Sequence, residues 1–153
     1  MKLQAFRIVK ARLAGQAFTG EGARRYGGRW NRPGSLVVYV ASTRSLAMLE
    51  MLVHLQARQL LLSYVVFPVE FDDSLVTDVD RQSLPRDWRS SPVALEVQQI
   101  GDRWIASGVS PALRVPSVIV DSEFNYLLNP AHPKFSRITI GKKQPIIFDP
   151  RLK

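Results

Sequence analysis

The chain has no cysteine among its 153 residues. That absence removes disulfides, thiolate nucleophiles and thiolate metal sites together. Histidine is almost missing as well: His54 and His132 are the only two, too few for a histidine-rich centre, so no metal is expected. Long apolar runs are lacking too. The best candidate, Leu46 to Leu55, is interrupted by Glu50 and His54 and falls short of the ~20 residues a membrane-spanning helix needs, so no membrane association is expected. The stretch Met1-Lys2-Leu3-Gln4-Ala5-Phe6-Arg7 has neither an apolar signal core nor a small-residue cleavage site, which makes a cytoplasmic location the expectation. Acidic residues are the scarcer charge, 13 against 21 basic, for a net charge of +8. This excess points to an anionic partner: nucleic acid, a phosphorylated small molecule or an acidic protein. Direct nucleic-acid binding is not expected. The basic residues are dispersed, with Arg24-Arg25 and Lys142-Lys143 the only adjacent pairs, and no helix-turn-helix, zinc finger or aromatic stacking motif is visible.

What remains is a chain that is 46% hydrophobic, enough to build one core at this length and one domain over residues 1–153. Leu3 to Val9 reads as a short strand, followed by a Gly- and Arg-rich loop to Gly34 whose backbone can approach a ligand closely. Leu36 to Ala41 reads as a strand, and Ser42-Thr43 offers an N-cap for a helix from about Thr43 to Gln59. Val65, Phe67, Val69 and Phe71 alternate as a second long strand, in which Pro68 suggests an edge position or a bulge. Asp72 to Ser91 looks irregular. Pro92 reads as the first residue of a helix with a core stripe of Val93, Val97, Ile100 and Trp104, ending near Gly108. Val115 to Val120, Arg137 to Ile140 and Pro145 to Phe148 are further strand candidates, the last two joined as a hairpin by Gly141-Lys142. This order predicts an α+β fold, mixed or antiparallel sheets with flanking helices, rather than regular βαβ winding.

Within this pattern one carboxylate is out of place. Glu50 sits in Leu46-Ala47-Met48-Leu49-Glu50-Met51-Leu52-Val53, and at ~100° per residue it falls at about 40° from Leu46, inside the stripe of Leu49, Val53 and Ala57. Met48, Met51, Leu52 and Leu55 cover most of the remaining circumference, which predicts an interior helix. Burying an ionised carboxylate costs several kcal/mol unless it is paired or hydrogen-bonded. Its rival explanations are a structural ion pair with a Lys or Arg and a role in chemistry.

Other signals are weaker one by one. Gly27-Gly28-Arg29-Trp30-Asn31 is a glycine pair leading to a guanidinium that can hold a phosphate or carboxylate bidentately, although a solvated arginine is the plainer reading. Neither a Gly-x-Gly-x-x-Gly nor a Walker lysine motif occurs. Tyr39 reads as a core residue with a satisfied hydroxyl. Leu113-Arg114-Val115-Pro116-Ser117 places a serine after Val-Pro at the start of an apolar strand, Asn125-Tyr126-Leu127-Leu128-Asn129-Pro130 interleaves amides with an aromatic, and the chain ends Phe148-Asp149-Pro150-Arg151-Leu152. Each suits ordinary turn chemistry.

In this order these segments resemble the RES-domain family, the toxin partners of Xre-type antitoxins, named for an arginine, a glutamate and a serine. The matching stretches are Gly28 to Asn31, the helix with Glu50, Leu113 to Ser117, Asn125 to Pro130 and Asp149 to Leu152, so the resemblance spans nearly the whole chain. It implies an ADP-ribosyltransferase-like fold and a toxin that consumes NAD as substrate. Water or phosphate would be the acceptor, with a protein side chain as the alternative. It also implies inhibition by an Xre-type antitoxin, through which any DNA contact would be made. A non-catalytic basic binding module is the rival from another class.

Carried over residue by residue, the resemblance makes Glu50, Arg29, Tyr39 and Ser117 the catalytic set. Arg7, in a Phe-Arg-Ile match, Arg29, Tyr39 and Asn129 become the NAD-binding set. Glu50 would face the positive charge developing on the ribose, and Arg29 would hold a phosphate or ribose oxygen. Tyr39 would stack on the nicotinamide, and Ser117 would orient Glu50 or the ribose, with Ser122 as the neighbouring alternative. Asn129 has a turn before Pro130 as its rival role. His54, one turn after Glu50, reads more simply as a core or helix-end histidine.

Overall fold

A computed structural model describes all residues, Met1–Lys153. Eight strands form one sheet in the order β4-β5-β6-β2-β1-β3-β7, with β8 pairing β3 beside β7. The strands are β1 (Lys2–Lys10), β2 (Val38–Ala41), β3 (Tyr64–Asp72), β4 (Val76–Asp78), β5 (Ala112–Pro116), β6 (Phe124–Leu128), β7 (Thr139–Ile140) and β8 (Gln144–Ile146). Three α-helices flank them: α1 (Glu21–Tyr26), α2 (Arg44–Leu52) and α3 (Leu95–Ser107). None is long and apolar enough to cross a membrane. The expected α+β architecture with a mixed sheet is the observed one. Its only parallel pair is β4 with β5, joined through α3, so one crossover unit sits in an otherwise antiparallel sheet.

The sheet is nearly two sheets. β1 and β3 pair from Lys2↔Asp72 to Lys10↔Tyr64, whereas β1 and β2 meet at the single register pair Phe6↔Ala41. Side chains alternate between faces along each strand. One face carries Ala5, Val38, Val40, Val69, Phe71, Tyr126 and Leu128. The other face is shared by two clusters. Ile8, Ala41, Tyr64 and Val66 pack under Leu46, Ala47 and Leu52 of α2, and Leu113, Val115 and Leu127 pack under Val97 and Trp104 of α3.

Several elements depart from the sequence reading. α2 begins where expected, with Thr43 Oγ1 accepting from the Leu46 N–H at 3.0 Å, but it ends at Leu52 rather than Gln59. There the His54 and Leu55 N–H groups bond back three residues, to Met51 and Leu52, and Gln59 caps the Gln56 N–H to open a 3₁₀ turn over Ala57–Leu61. Nor is α2 an interior helix, because Leu49 is 37% and Val53 58% exposed while Leu46, Ala47 and Leu52 are buried. α3 starts at Leu95, after Ala94 in extended conformation, not at Pro92. The strand expected at Val115 to Val120 lies earlier, at Ala112–Pro116, because the Ser117 hydroxyl accepts from the N–H groups of Ile119 and Val120 and turns the chain there. The amides at Asn125 and Asn129 mask β6, which the sequence pattern does not announce as a strand.

The carboxy-terminal hairpin does not form. β7 and β8 both pair antiparallel with β3, β8 at Tyr64 to Val66 and β7 at Val69 and Glu70, and so lie end to end along its outer side. Pro68 falls in the gap between them, its carbonyl accepting from the Gly141 N–H at 2.7 Å. A proline lacking the ladder donor is tolerated at such a break.

Candidate active site

The two clusters under α2 and α3 meet at a polar seam. Asn125 of β6 pairs across the sheet with Ala41 of the first cluster and Val115 of the second, so its amide emerges between them on the helix-covered face. Ser117 continues the alternation of Leu113 and Val115 onto the same face. Glu50, in the last turn of α2, reaches down into this seam. Its Oε1 accepts from Asn125 Nδ2 at 2.7 Å and from Ser117 Oγ at 3.1 Å, while Oε2 has no protein partner. No lysine, arginine or histidine lies within ion-pair distance of it, which removes the structural ion pair as its reason for being there.

The hydroxyl direction at Ser117 follows from valence. Ser117 is fully buried, and its two acceptor positions take the N–H groups of Ile119 and Val120, so its one proton is left for Glu50. Ser122, by contrast, is exposed. The helix terminus works against the carboxylate: the last turn of a helix carries a partial negative charge, worth about 0.3–1 kcal/mol. Hydrogen bonds to a charged group are worth about 1.5–3 kcal/mol each, so two donors outweigh it.

Arg29 comes from a turn that three α3 residues hold. Gln98 Nε2 donates to the carbonyls of Gly28 and Asn31, and Asp102 accepts from the Arg32 backbone N–H and, at 2.7 Å, from its guanidinium. Gly101 lets the helix touch the Trp30 carbonyl, since a Cβ there would sit 1.8 Å from that oxygen. Residues 98, 101 and 102 share one helical face by their spacing. Arg29 itself donates to the carbonyls of Trp88 and Ser90 at 3.1 and 3.0 Å. Burial lowers its pKa, and Glu50 and Tyr39 partly offset this, so the Glu50 charge is felt without direct contact.

Tyr39 is the support of that turn. Its hydroxyl donates to Asn31 Oδ1 at 2.6 Å and accepts from the Trp30 N–H at 3.2 Å. Asn31 is fully buried, and its amide nitrogen donates to the carbonyls of Ala23 and Arg32. Gly28 is required beside the Tyr39 hydroxyl, because a Cβ there would come within 2.7 Å of the Tyr39 oxygen. Burial raises the phenol pKa well above its usual value, keeping it protonated as the donor that Asn31 needs.

The remaining expected residues are placed elsewhere. Arg7 bonds the carbonyls of Ala17 and Tyr39 and tethers the segment before α1 to β2. Burial lowers its pKa to about 10, which leaves it charged at neutral pH. Its register neighbours put it on the face opposite Phe6 and Ile8, with its Nη2 donors unspent. Asn129 closes a turn, Oδ1 accepting from the Ala131 N–H, and lies four residues along β6 from Asn125, roughly 13 Å at strand rise. His54 is exposed and makes no hydrogen bond to Glu50. The structure therefore brings together Glu50 and Ser117, sets Arg29 in the adjoining turn with Tyr39 of β2 supporting it, and leaves Arg7 and Asn129 outside. Asn125 is the residue that sequence reasoning missed. It opens the Asn125 to Pro130 stretch of the family resemblance, but only as an amide inside an apolar run with no role attached. No group of three or more His, Asp and Glu side chains gathers anywhere in the fold.

Known proteins share this arrangement of elements and sequence. "Toxin Res" of Yersinia enterocolitica serotype O:8 / biotype 1B is 42% identical over 153 residues, covering 99% of this chain and all of that protein. The "Prs ADP-ribosylating toxin" of Sphingobium sp. strain YBL2 is 38% identical over 137 residues, 88% of this chain and 85% of that protein. The M. tuberculosis MbcT-MbcA toxin-antitoxin complex contains a chain that superposes with a TM-score of 0.79 at 20% identity, over 99% of this chain and 87% of that one, which extends the likeness to the fold. Residues 4–149 match the RES domain, and the chain belongs to that family.

Proposed function

We propose that this chain is the toxin of a toxin–antitoxin pair, and that it destroys NAD by breaking the bond between nicotinamide and ribose. The observation that carries this reading is the Glu50 carboxylate: one oxygen is fixed by Ser117 and Asn125, the other is unpaired, and no cation neutralises it. Such a group suits a reaction in which positive charge develops on a ribose ring. Charge held in advance, facing the place where that change occurs, is a leading source of rate enhancement in enzymes. Nicotinamide would leave with the electrons of the broken C–N bond. The oxygen of water or phosphate would then bond to the anomeric carbon and release its proton, giving ADP-ribose or its phosphate ester.

The chain's own residues fit the substrate in charge. NAD is an anion, and Arg29 keeps three guanidinium donors beyond its bonds to Trp88 and Ser90. Tyr39 would serve by holding the Arg29 turn, and Arg7, on the other face of the sheet, would serve by tethering the segment before α1 to β2. The partner would be an Xre-type antitoxin. Leu49 of α2 and Val53 just past its end, both exposed, give such a protein an apolar foothold beside the site. Contact with DNA would be made through the antitoxin, and the site of action would be the cytoplasm.

The test is purified protein, freed of antitoxin, incubated with NAD. NAD should disappear, and Glu50→Gln or Arg29→Ala should remove the activity while the fold persists. A second reading, transfer of ADP-ribose to a protein side chain, is favoured by the name of the Sphingobium relative. Radiolabelled NAD separates the two: label in free ADP-ribose or its phosphate supports the first, label on protein the second.

A further inference from the structure

The family resemblance includes Asn125 in a matching stretch but gives it no role, yet it makes the shorter of the two bonds to Glu50, 2.7 Å against 3.1 Å from Ser117. We infer that Asn125 is a positioning residue that fixes the orientation of the Glu50 carboxylate, so that its free oxygen faces the substrate. The inference rests on reading Glu50 as the carboxylate that acts on it.

Two features of the fold suit Asn125 to this task. Its backbone is paired on both sides, to Ala41 of β2 and to Val115 of β5, so the amide projects from the interior of the sheet and not from a loop. The bond also has a forced polarity: an ionised carboxylate only accepts, so the group it meets must be the amide nitrogen. Ser117 lies just beyond the end of β5 and spends its lone pairs on holding a turn. It shares Oε1 with Asn125. Both donors on one oxygen fix the plane of the carboxylate and leave its other oxygen free, and without the Asn125 donor that plane can turn away from the substrate.

The test compares three variants with wild type in NAD breakdown and in thermal melting. Asn125→Asp keeps the shape but replaces the donor with a like charge, and kcat should fall about a hundredfold, with KM for NAD changed less than about threefold, as expected when a reacting group is displaced and substrate binding is left intact. Asn125→Ala should fall less, about tenfold, because Ser117 still donates. The exchange Glu50→Gln with Asn125→Asp restores a hydrogen bond of reversed polarity, so its melting temperature should rise above that of Asn125→Asp alone while kcat stays at the floor. A folded Asn125→Asp protein with wild-type kcat, or one whose loss lies in KM, would overturn the assignment. So would an exchange variant that melts no higher than Asn125→Asp. Wild-type protein that leaves NAD intact would remove the functional reading and the positioning role with it, while the melting comparison would still report the hydrogen bond.

Discussion

Gly101→Ala probes how the Arg29 turn is held. A Cβ at Gly101 would lie 1.8 Å from the Trp30 carbonyl oxygen and 2.9 Å from its carbon, so helix or turn must give by about 1.6 Å before the contact becomes ordinary at 3.4 Å. Neither moves freely. Trp30 is 2% exposed, in a cluster with Val97, Trp104, Leu113 and Leu127, and Gln98 and Asp102 bind the turn on either side of the clash. Overpacking costs about 1–3 kcal/mol, and a backbone obstacle puts this case at the top of that range. Alanine in a helix interior returns about 1 kcal/mol over glycine. The net is about 2 kcal/mol destabilising, which in a domain of this size lowers the melting temperature by about 4–8 °C. Because Arg29 precedes Trp30, NAD breakdown well below the melting point should also fall, by about tenfold or more. Gly22→Ala is the control, since a Cβ there meets nothing within 4 Å. It should melt at or above wild type. Circular dichroism melts of both variants decide the matter, and Gly101→Ala melting as high as wild type would disprove the close seating of α3 on the turn.

Two further perturbations address the same support. Asn31→Ala strips the Tyr39 hydroxyl of its acceptor and leaves the Arg32 carbonyl without a donor, while the Ala23 carbonyl keeps only the Gly27 N–H, and urea unfolding should show a loss of about 2–3 kcal/mol. For pH, the raised Tyr39 phenol sets the sign. Its folded pKa lies above the unfolded value of about 10, so its contribution is complete below that pH and is lost as pH rises beyond it. The stability gap between wild type and Tyr39→Phe should therefore narrow above about pH 10; a constant gap up to pH 11 would contradict the buried, protonated hydroxyl.

Much of the site could be read along the chain because it depends on local incongruity. A carboxylate in an apolar helical run, a serine after Val-Pro and an arginine after paired glycines each stand out from their neighbours. Asn125 did not, because its meaning comes from strand register: it lies between Ala41 and Val115, residues 84 and 10 positions away. The grip of α3 on the Arg29 turn was invisible for a similar reason. Gln98, Gly101 and Asp102 have helical spacing, but their partners are about 70 residues earlier. The end of α2 is hard to see because no glycine or proline marks it. Gln56 and Gln59 do so through a side-chain cap, a signal weaker than the apolar periodicity that runs past it. The expected hairpin had the right turn residues, but β3 offered both short strands a longer partner than they offered each other.

The proposed mechanism stands on the free oxygen of Glu50 acting on the ribose of NAD. It is tested most directly by the rate of NAD loss catalysed by purified wild-type and Glu50→Gln proteins of matched circular dichroism and melting behaviour. Gln keeps the size of the side chain and removes the charge, so a fall of at least about a hundredfold is expected, in line with the removal of one preorganised electrostatic group. NAD loss at the wild-type rate in the folded Glu50→Gln protein would contradict the mechanism.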